Sequence, residues 1–232
     1  MNLVRLKSRI ISNKLVCKRS MLKENRRIEP KLPQELEMIF GSSDYNHDGW
    51  LVGKNLLFSG DELQFDFVLH LGDEERTQQQ WQMVVEGYKT SRFYPEKLGA
   101  YFQFYDHHFL LWEFQNIWTE LYMKKASTNP EALLADLCVV HQKSFGSFLP
   151  VGSYFNGANN WLELCSSGFG LFSRGPKKIL ALYYDCLQRA GTEPYFLGQF
   201  NPDVENSDLK LLIIGDCYFI GNDFHFKRSE AD

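Results

Sequence analysis

Several features that place a protein in a membrane, a secretory route or an oxidising compartment are missing from this 232-residue sequence. No apolar run approaches the roughly 20 residues of a membrane-spanning helix. The N-terminus has no uninterrupted apolar region of the kind that a secretory signal needs. The five cysteines (Cys17, Cys138, Cys165, Cys186, Cys217) are odd in number and form no CxxC pair. We therefore expect reduced thiols in a cytoplasmic protein that makes no membrane contact.

Recognisable catalytic and metal-binding motifs are also missing. There is no GxSxG nucleophile elbow, and the spacing of the histidines matches no common metal site. Adjacent His107 and His108 point to opposite faces if they lie on a strand, so they cannot share one ion unaided. We therefore expect neither a metal nor a cofactor. The absence of a catalytic constellation favours a non-enzymatic protein, with an enzyme kept open.

Aromatic side chains are abundant. They make up 15% of the residues, with 19 Phe and 11 Tyr, and these residue types favour half-buried sheet surfaces. Hydrophobic residues at 44% and charged residues at 23% are ordinary for a globular protein. The composition predicts a folded core with much β-sheet.

Charge is unevenly spread along the chain. Residues 1–31 carry ten basic and two acidic side chains, a net charge of +8, so the remainder carries −12 of the total −4. We interpret residues 1–31 as a basic arm, either disordered or untranslated if translation starts at Met21 rather than Met1. A targeting segment and a nucleic-acid contact are the alternatives that give the arm a function.

Residues 50–115 show the pattern of an antiparallel meander. The clearest strand is 63–71, where Leu63, Phe65, Phe67, Leu69 and Leu71 alternate with mostly polar residues. Further short strands are predicted around Tyr154 and over 161–164. The segment "LKLLIIGDCYFIGNDFHF" predicts a C-terminal hairpin that turns at "GD".

Two helices are indicated after this meander. The first begins at Thr128 or Asn129 as N-cap, with Pro130 in its first turn. The second runs from Pro176 to Gly191, which are residue types typical of helix starts and ends. A shorter helix is predicted within residues 30–40. The segregation of strands and helices predicts an α+β fold with two packed helices. We expect one domain over 32–232, with a sub-boundary near 124–130 as the alternative.

The stretch "SSDYNHDGWLVGKN" resembles the start of a calcium-binding loop. Asp44, Asn46 and Asp48 occupy the first three ligand positions, and Gly49 follows. Asn55 stands where a bidentate glutamate is required, and the following residues predict a strand instead of a helix. We interpret the stretch as a turn and keep these three residues as a weak calcium candidate.

The stretch "GLFSRGPKK" has the glycine spacing of a phosphate-binding loop before a helix. Pro176 and Lys177 replace the lysine and hydroxyl residues of that motif, which excludes the nucleotide-binding form. A looser anion or phosphate site remains as a candidate, built from Arg174, Lys177, Lys178, Gly168 and Gly170.

Two function classes follow from these observations. The first is a non-enzymatic cytosolic protein that binds a protein partner or regulates it through an acidic and aromatic surface. The alternative is an enzyme or sensor that binds a small anion through the Gly-rich region 152–178. A nucleic-acid partner is expected only through residues 1–31, given the acidic remainder.

Overall fold

The computed structural model describes residues 25–29, 31–43, 45, 49–71, 78–94, 98–99, 101–157, 160–200 and 208–229. These residues form two compact units. One, the sandwich unit, contains the described residues from Arg26 to His107 and from Asp208 onward. The other, the mixed unit, contains those from His108 to Phe200.

The sandwich unit is built from two antiparallel sheets. Its strands are β1 (Arg26–Ile28), β2 (Trp50–Ser59), β3 (Glu62–His70), β4 (Gln78–Glu86), β5 (Thr90–Arg92), β6 (Phe102–His107), β10 (Lys210–Ile214), β11 (Cys217–Gly221) and β12 (Asp223–Arg228). One sheet has the order β1-β6-β10-β11-β5, and the other has the order β12-β4-β3-β2. A short helix, α1 (Gln34–Phe40), contributes Leu36 and Ile39 to the core.

Phenylalanine rings fill the space between these two sheets. Phe65 of β3 lies 5.2 Å from Phe219 of β11, and Phe104 of β6 lies 5.5 Å from Phe224 of β12, measured between ring centroids. These pairs join residues of opposite sheets. The inward side chains of alternating strands therefore meet face to face, which explains the excess of aromatic residues.

The mixed unit combines a small sheet with helices. Its strands are β7 (Trp118–Met123), β8 (Gly170–Pro176) and β9 (Pro194–Phe200), in the order β8-β7-β9. Its α-helices are α2 (Trp112–Gln115), α3 (Pro130–Phe145), α4 (Trp161–Ser167) and α5 (Lys177–Arg189), and a 3-10 turn spans Phe109–Leu111. Leu121 and Met123 of β7 are fully buried in a core that includes residues of α3, α4 and α5.

The predicted α+β fold is confirmed. Strands β2, β3 and β4 form the antiparallel meander, and β10 and β11 form the hairpin with Gly215 at its turn. Helix α3 begins after Asn129, whose side chain accepts a hydrogen bond from the Ala132 N–H at 3.0 Å. Leu63, Phe65, Phe67 and Leu69 are all buried, as their alternation predicted.

Three local predictions are wrong. Residues 161–164 lie in helix α4 and not in a strand. Residues 109–115 form the 3-10 turn and α2, so the strand pattern ends at His107. Strands β5 and β6 do not pair with the meander β2-β3-β4. They belong to the other sheet of the sandwich, with β1, β10 and β11. These segments are short, and long-range pairing decides their structure.

Other expectations fall partly on residues outside the described set. Residues 1–24 of the basic arm are among them, whereas Arg26–Ile28 form β1 and pair with β6. Arg26 binds the Asp106 carboxylate and lowers its pKa. The single domain over 32–232 stays a prediction. Within the described ranges, no helix has the length and apolarity to cross a membrane.

Two buried histidines of the mixed unit are hydrogen-bonded to their surroundings. His141 lies 2.8 Å through Nε2 from the Leu149 carbonyl oxygen, so Nε2 donates and Nδ1 accepts from the Tyr183 hydroxyl at 2.7 Å. His108 accepts a hydrogen bond at Nδ1 from the Leu110 N–H at 3.3 Å. Burial lowers the pKa of His141, and it lowers the pKa of His108 to about 4. The bond at His108 Nδ1 requires a neutral ring, because its partner is a backbone N–H that can only donate.

This arrangement predicts that acid destabilises the protein before its carboxylates titrate. An unfolded histidine takes up a proton near pH 6.5, whereas His108 in the fold resists protonation down to about pH 4. The unfolded state therefore binds more protons, and the free energy of unfolding falls as the pH drops below about 6.5. His108 alone accounts for on the order of 3 kcal/mol over that range.

Urea unfolding between about pH 7.5 and pH 5 measures this slope. We expect His108→Asn, which keeps an N-cap acceptor, to flatten it. Val139→Ser, an exposed change without a titratable group, should leave it unaltered. An equal slope in wild type and His108→Asn would contradict the prediction.

Candidate functional site

The three-stranded sheet of the mixed unit has two unlike faces. Strand β7 alternates between fully buried side chains (Thr119, Leu121, Met123) and half-buried ones (Trp118, Glu120, Tyr122). The buried set points toward helices α3, α4 and α5. Glu120 and Tyr122 point the other way, because successive side chains of a strand alternate in direction. The Trp118 ring instead packs against the core, with its centroid 6.1 Å from that of Tyr154.

The register between strands defines the second face. Residues directly opposite each other on neighbouring strands point to the same side. Tyr122 lies opposite Tyr195 and Leu171, Glu120 opposite Leu197 and Arg174, and Trp118 opposite Phe200. We call this surface the aromatic face, with Lys124 at its end. It comprises Glu120, Tyr122, Lys124, Leu171, Arg174, Tyr195, Leu197 and Phe200.

Aromatic rings and cations pair along this face. The Tyr122 and Tyr195 rings stack with centroids 5.5 Å apart. The Lys124 ammonium lies 4.6 Å from the Tyr195 ring centroid, and the Arg174 guanidinium lies 5.2 Å from that of Phe200. Such contacts hold each cation over a ring without removing it from solvent. The face therefore presents rigid apolar surface with a positive charge at two places.

Glu120 partly balances this charge. It accepts a hydrogen bond from the Tyr122 hydroxyl at 3.1 Å, and this bond raises the pKa of Tyr122. The Arg174 Nε atom lies 3.9 Å from the other oxygen of Glu120. The aromatic face therefore carries two cations, Arg174 and Lys124, and one carboxylate, of which only Arg174 lies beside the carboxylate.

The face also exposes large apolar side chains. Leu197 is 53% exposed and Phe200 is 46% exposed, and they lie on one edge strand. Scattered exposed apolar residues are common on monomers. Here they follow Tyr195 on the same strand, and Tyr195 stacks on Tyr122 beside half-buried Leu171, so the apolar area is contiguous. Contiguous areas of this kind mark interaction sites.

The residues predicted to bind an anion do not converge on one site. At the start of α5, the Lys177 N–H donates to the Ile117 carbonyl oxygen at 2.8 Å. The Lys178 N–H donates to Asn116 Oδ1 at 3.2 Å, and Pro176 has no N–H to offer. The first amides that would bind an anion are therefore engaged within the protein.

The three predicted cations of that site point to different places. Arg174 lies on the aromatic face with Phe200, whereas Lys177 lies 5.8 Å from the ring of Phe196. Phe196 stacks on Tyr184 of α5, on the helical side of the sheet. Lys178 lies 5.2 Å from the Trp112 ring. Arg174 and Lys177 are thus on opposite faces of one sheet.

The glycines of that prediction have structural roles. Gly168 ends α4 in the left-handed region, with φ +73°. A Cβ there would lie 1.9 Å from the Ala126 backbone nitrogen. Gly170 begins β8 with φ +139°, a conformation that side-chain-bearing residues rarely adopt. The backbone conformation therefore accounts for glycine at both positions.

The calcium candidate falls outside the described residues. Asp44, Asn46 and Asp48 are all among those the structure leaves undescribed. Across the described ranges, no group of three or more His, Cys, Asp or Glu side chains is arranged to hold a metal ion. His107 and His108 do not converge, since one contacts Asp106 and the other is the buried cap of the 3-10 turn.

The sandwich unit contributes one open groove of about 480 Å³. Its lining includes Arg27, Glu37, Tyr101 and Gln103. It has one cation and one acid and contains neither a histidine nor a cysteine. The described lining therefore offers no pair of nucleophile and base.

The aromatic face was missed by the sequence analysis, although a signal is present. The segment "WTELYM" has the alternating pattern of a strand that carries large side chains on both faces. The segment "PYFLGQF" has a similar pattern. Both segments are short, and their pairing with each other and with β8 is a long-range property.

Comparison of the chain with protein-family models, curated proteins and solved structures finds no match.

The structural role of Gly168 leads to a direct prediction. Gly168→Ala should lower the free energy of unfolding by at least about 2 kcal/mol, because the backbone is left-handed and the added carbon meets Ala126. Gly157→Ala is the matched control, since an added carbon there meets nothing within 4 Å. Urea unfolding of both variants measures the difference. Equal stabilities would contradict the structural role of Gly168.

Proposed function

We propose that this protein is a non-enzymatic cytosolic protein that binds a protein partner through the aromatic face. The observation that carries the proposal is the contiguous exposure of Leu197 and Phe200 beside the stacked Tyr122–Tyr195 pair. A sheet with one face on helices and the other apolar and exposed is suited to a second macromolecular surface.

The residue types on the face support a protein partner. Aromatic residues and arginine supply most of the energy in protein interfaces, particularly where they are held rigid. Arg174 is held over Phe200 and beside Glu120, so little of its conformational freedom is lost on binding. The two cations over rings favour a partner segment with apolar side chains flanked by carboxylates.

The thiols support a non-enzymatic cytosolic role. The four described cysteines, Cys138, Cys165, Cys186 and Cys217, are all free. Burial raises the pKa of Cys165 to about 11 and that of Cys186 to about 12. A thiol of that kind is protonated at neutral pH, and the thiolate is the nucleophile. Free buried thiols fit a reducing compartment.

The alternative of an anion-binding enzyme or sensor has less support. It needs cations and free amides to converge at the start of α5. The first two amides there are hydrogen-bonded to Ile117 and Asn116, and Arg174 points away from Lys177. We therefore place the binding function on the aromatic face.

A capture experiment that compares three forms of the protein tests the proposal. Extract from cells that express the protein is divided into an untreated and a nuclease-treated sample, and each is passed over three immobilised full-length forms. These are wild type, the face variant Leu197→Ser/Phe200→Ser, and the control variant Met38→Ser/Val139→Ser. The control removes apolar residues that are 69% and 46% exposed at other sites.

We expect one protein to be retained by wild type and by the control variant in equal amounts. The face variant should lose it by on the order of tenfold or more, as expected for loss of central interface residues. Purified partner should reproduce the difference by calorimetry. Equal retention by all three forms would contradict the proposal. Loss on nuclease treatment alone would assign the binding to nucleic acid.

A further inference from the structure

A second interaction surface lies on strand β2 of the sandwich unit. In its sheet, β2 and β12 are the two edge strands. The β12 edge carries His225, Lys227 and Arg228, and Arg228 binds Glu35. Charged residues of this kind protect an edge from pairing with another chain. Residues 54–59 of β2 carry only one charged side chain, that of Lys54.

The second half of β2 is unpaired on its outer side as far as the described residues show. The first half is joined to Leu98, whose N–H donates to the Leu51 carbonyl oxygen at 3.1 Å. No described strand or bridge pairs with residues 54–59 on that side. Every second residue of an edge strand presents its N–H and C=O outward, where another strand can accept and donate.

This unpaired stretch is apolar at its centre. Leu57 is 55% exposed and Phe58 is 63% exposed, while Leu56 is half-buried. Phe58 makes an edge-to-face contact with Tyr88, with ring centroids 5.6 Å apart. An extended apolar edge of this kind is suited to pairing with a further strand.

The charges at its two ends identify the partner strand. Lys54 is exposed at one end, and Asp61 and Glu62 are exposed at the turn that ends the strand. The protein gives Lys54 no ion pair among its described residues. An antiparallel copy of the same strand places each Lys54 beside the acidic turn of the other copy. The strand is therefore complementary to itself in charge.

We propose that β2 pairs antiparallel with β2 of a second copy of this chain, about a two-fold axis at Leu57. In this register the two Leu57 side chains face each other, and Leu56 of each copy lies opposite Phe58 of the other. The two four-stranded sheets become one eight-stranded sheet. This contact is independent of the aromatic face, since it uses a different unit.

Sedimentation equilibrium of the full-length protein over a range of concentrations tests the dimer. Leu57→Lys places two like charges opposite each other and changes a side chain that is already exposed. Met38→Lys adds the same charge at another exposed site of the unit and serves as the control. Because the paired segment is short, we expect a dissociation constant of roughly micromolar order.

We expect wild type and Met38→Lys to dimerise alike, and Leu57→Lys to weaken the dimer by more than about tenfold. Leu57→Glu alone should also be monomeric, and its mixture with Leu57→Lys should restore a one-to-one dimer. A monomeric wild type up to about 1 mM would overturn the proposal. So would a Leu57→Lys protein that dimerises normally, or a mixture that stays monomeric.

Loss of this dimer and failure of the aromatic face are distinguishable. The variant Leu197→Ser/Phe200→Ser should dimerise as wild type does, because it leaves β2 unchanged. A dimer that the face variant abolishes and Leu57→Lys preserves would overturn pairing through β2 and assign self-association to the aromatic face.

Discussion

A three-stranded sheet has two faces, and the helices of the mixed unit pack on one of them. Leu121 and Met123 bury themselves against α3, α4 and α5, so the alternation of the strand sends Glu120 and Tyr122 the other way. The character of the second face follows from this constraint. Register then adds Tyr195, Leu197, Phe200 and Arg174 to it. The aromatic face is thus a consequence of how the core is built.

In the sandwich unit, the same need to cover apolar sheet faces leaves a different surface exposed. Its two sheets cover each other's inner faces, and phenylalanine rings fill the gap. What remains uncovered there is an edge and not a face. Edges recruit strands through the backbone, whereas faces recruit partners through side chains. The two units therefore offer two kinds of contact, one directed by hydrogen bonds and the other by apolar and cationic side chains.

Much of the fold could be predicted from local patterns. Helix α3 and strand β3 have strong periodicity over many residues, and Asn129 and Pro130 mark the helix start chemically. Helix α4 was mistaken for a strand because seven residues between Gly- and Asn-rich segments give no clear period. The division of strands between two sheets was also missed. Pairing such as β6 with β10 joins segments far apart in the chain, and local sequence does not encode it.

The site was harder to predict than the fold. The sequence predicts that Arg174 binds an anion, whereas in the structure Arg174 contacts Phe200 and Glu120.

Site-specific photocrosslinking in living cells most directly tests whether the aromatic face binds a protein partner. A photoreactive residue replaces Leu197 or, as the control, Val139. If the aromatic face binds a protein partner, position 197 yields a discrete adduct with one protein and position 139 yields none. No adduct from 197, or the same adducts from both positions, would contradict it.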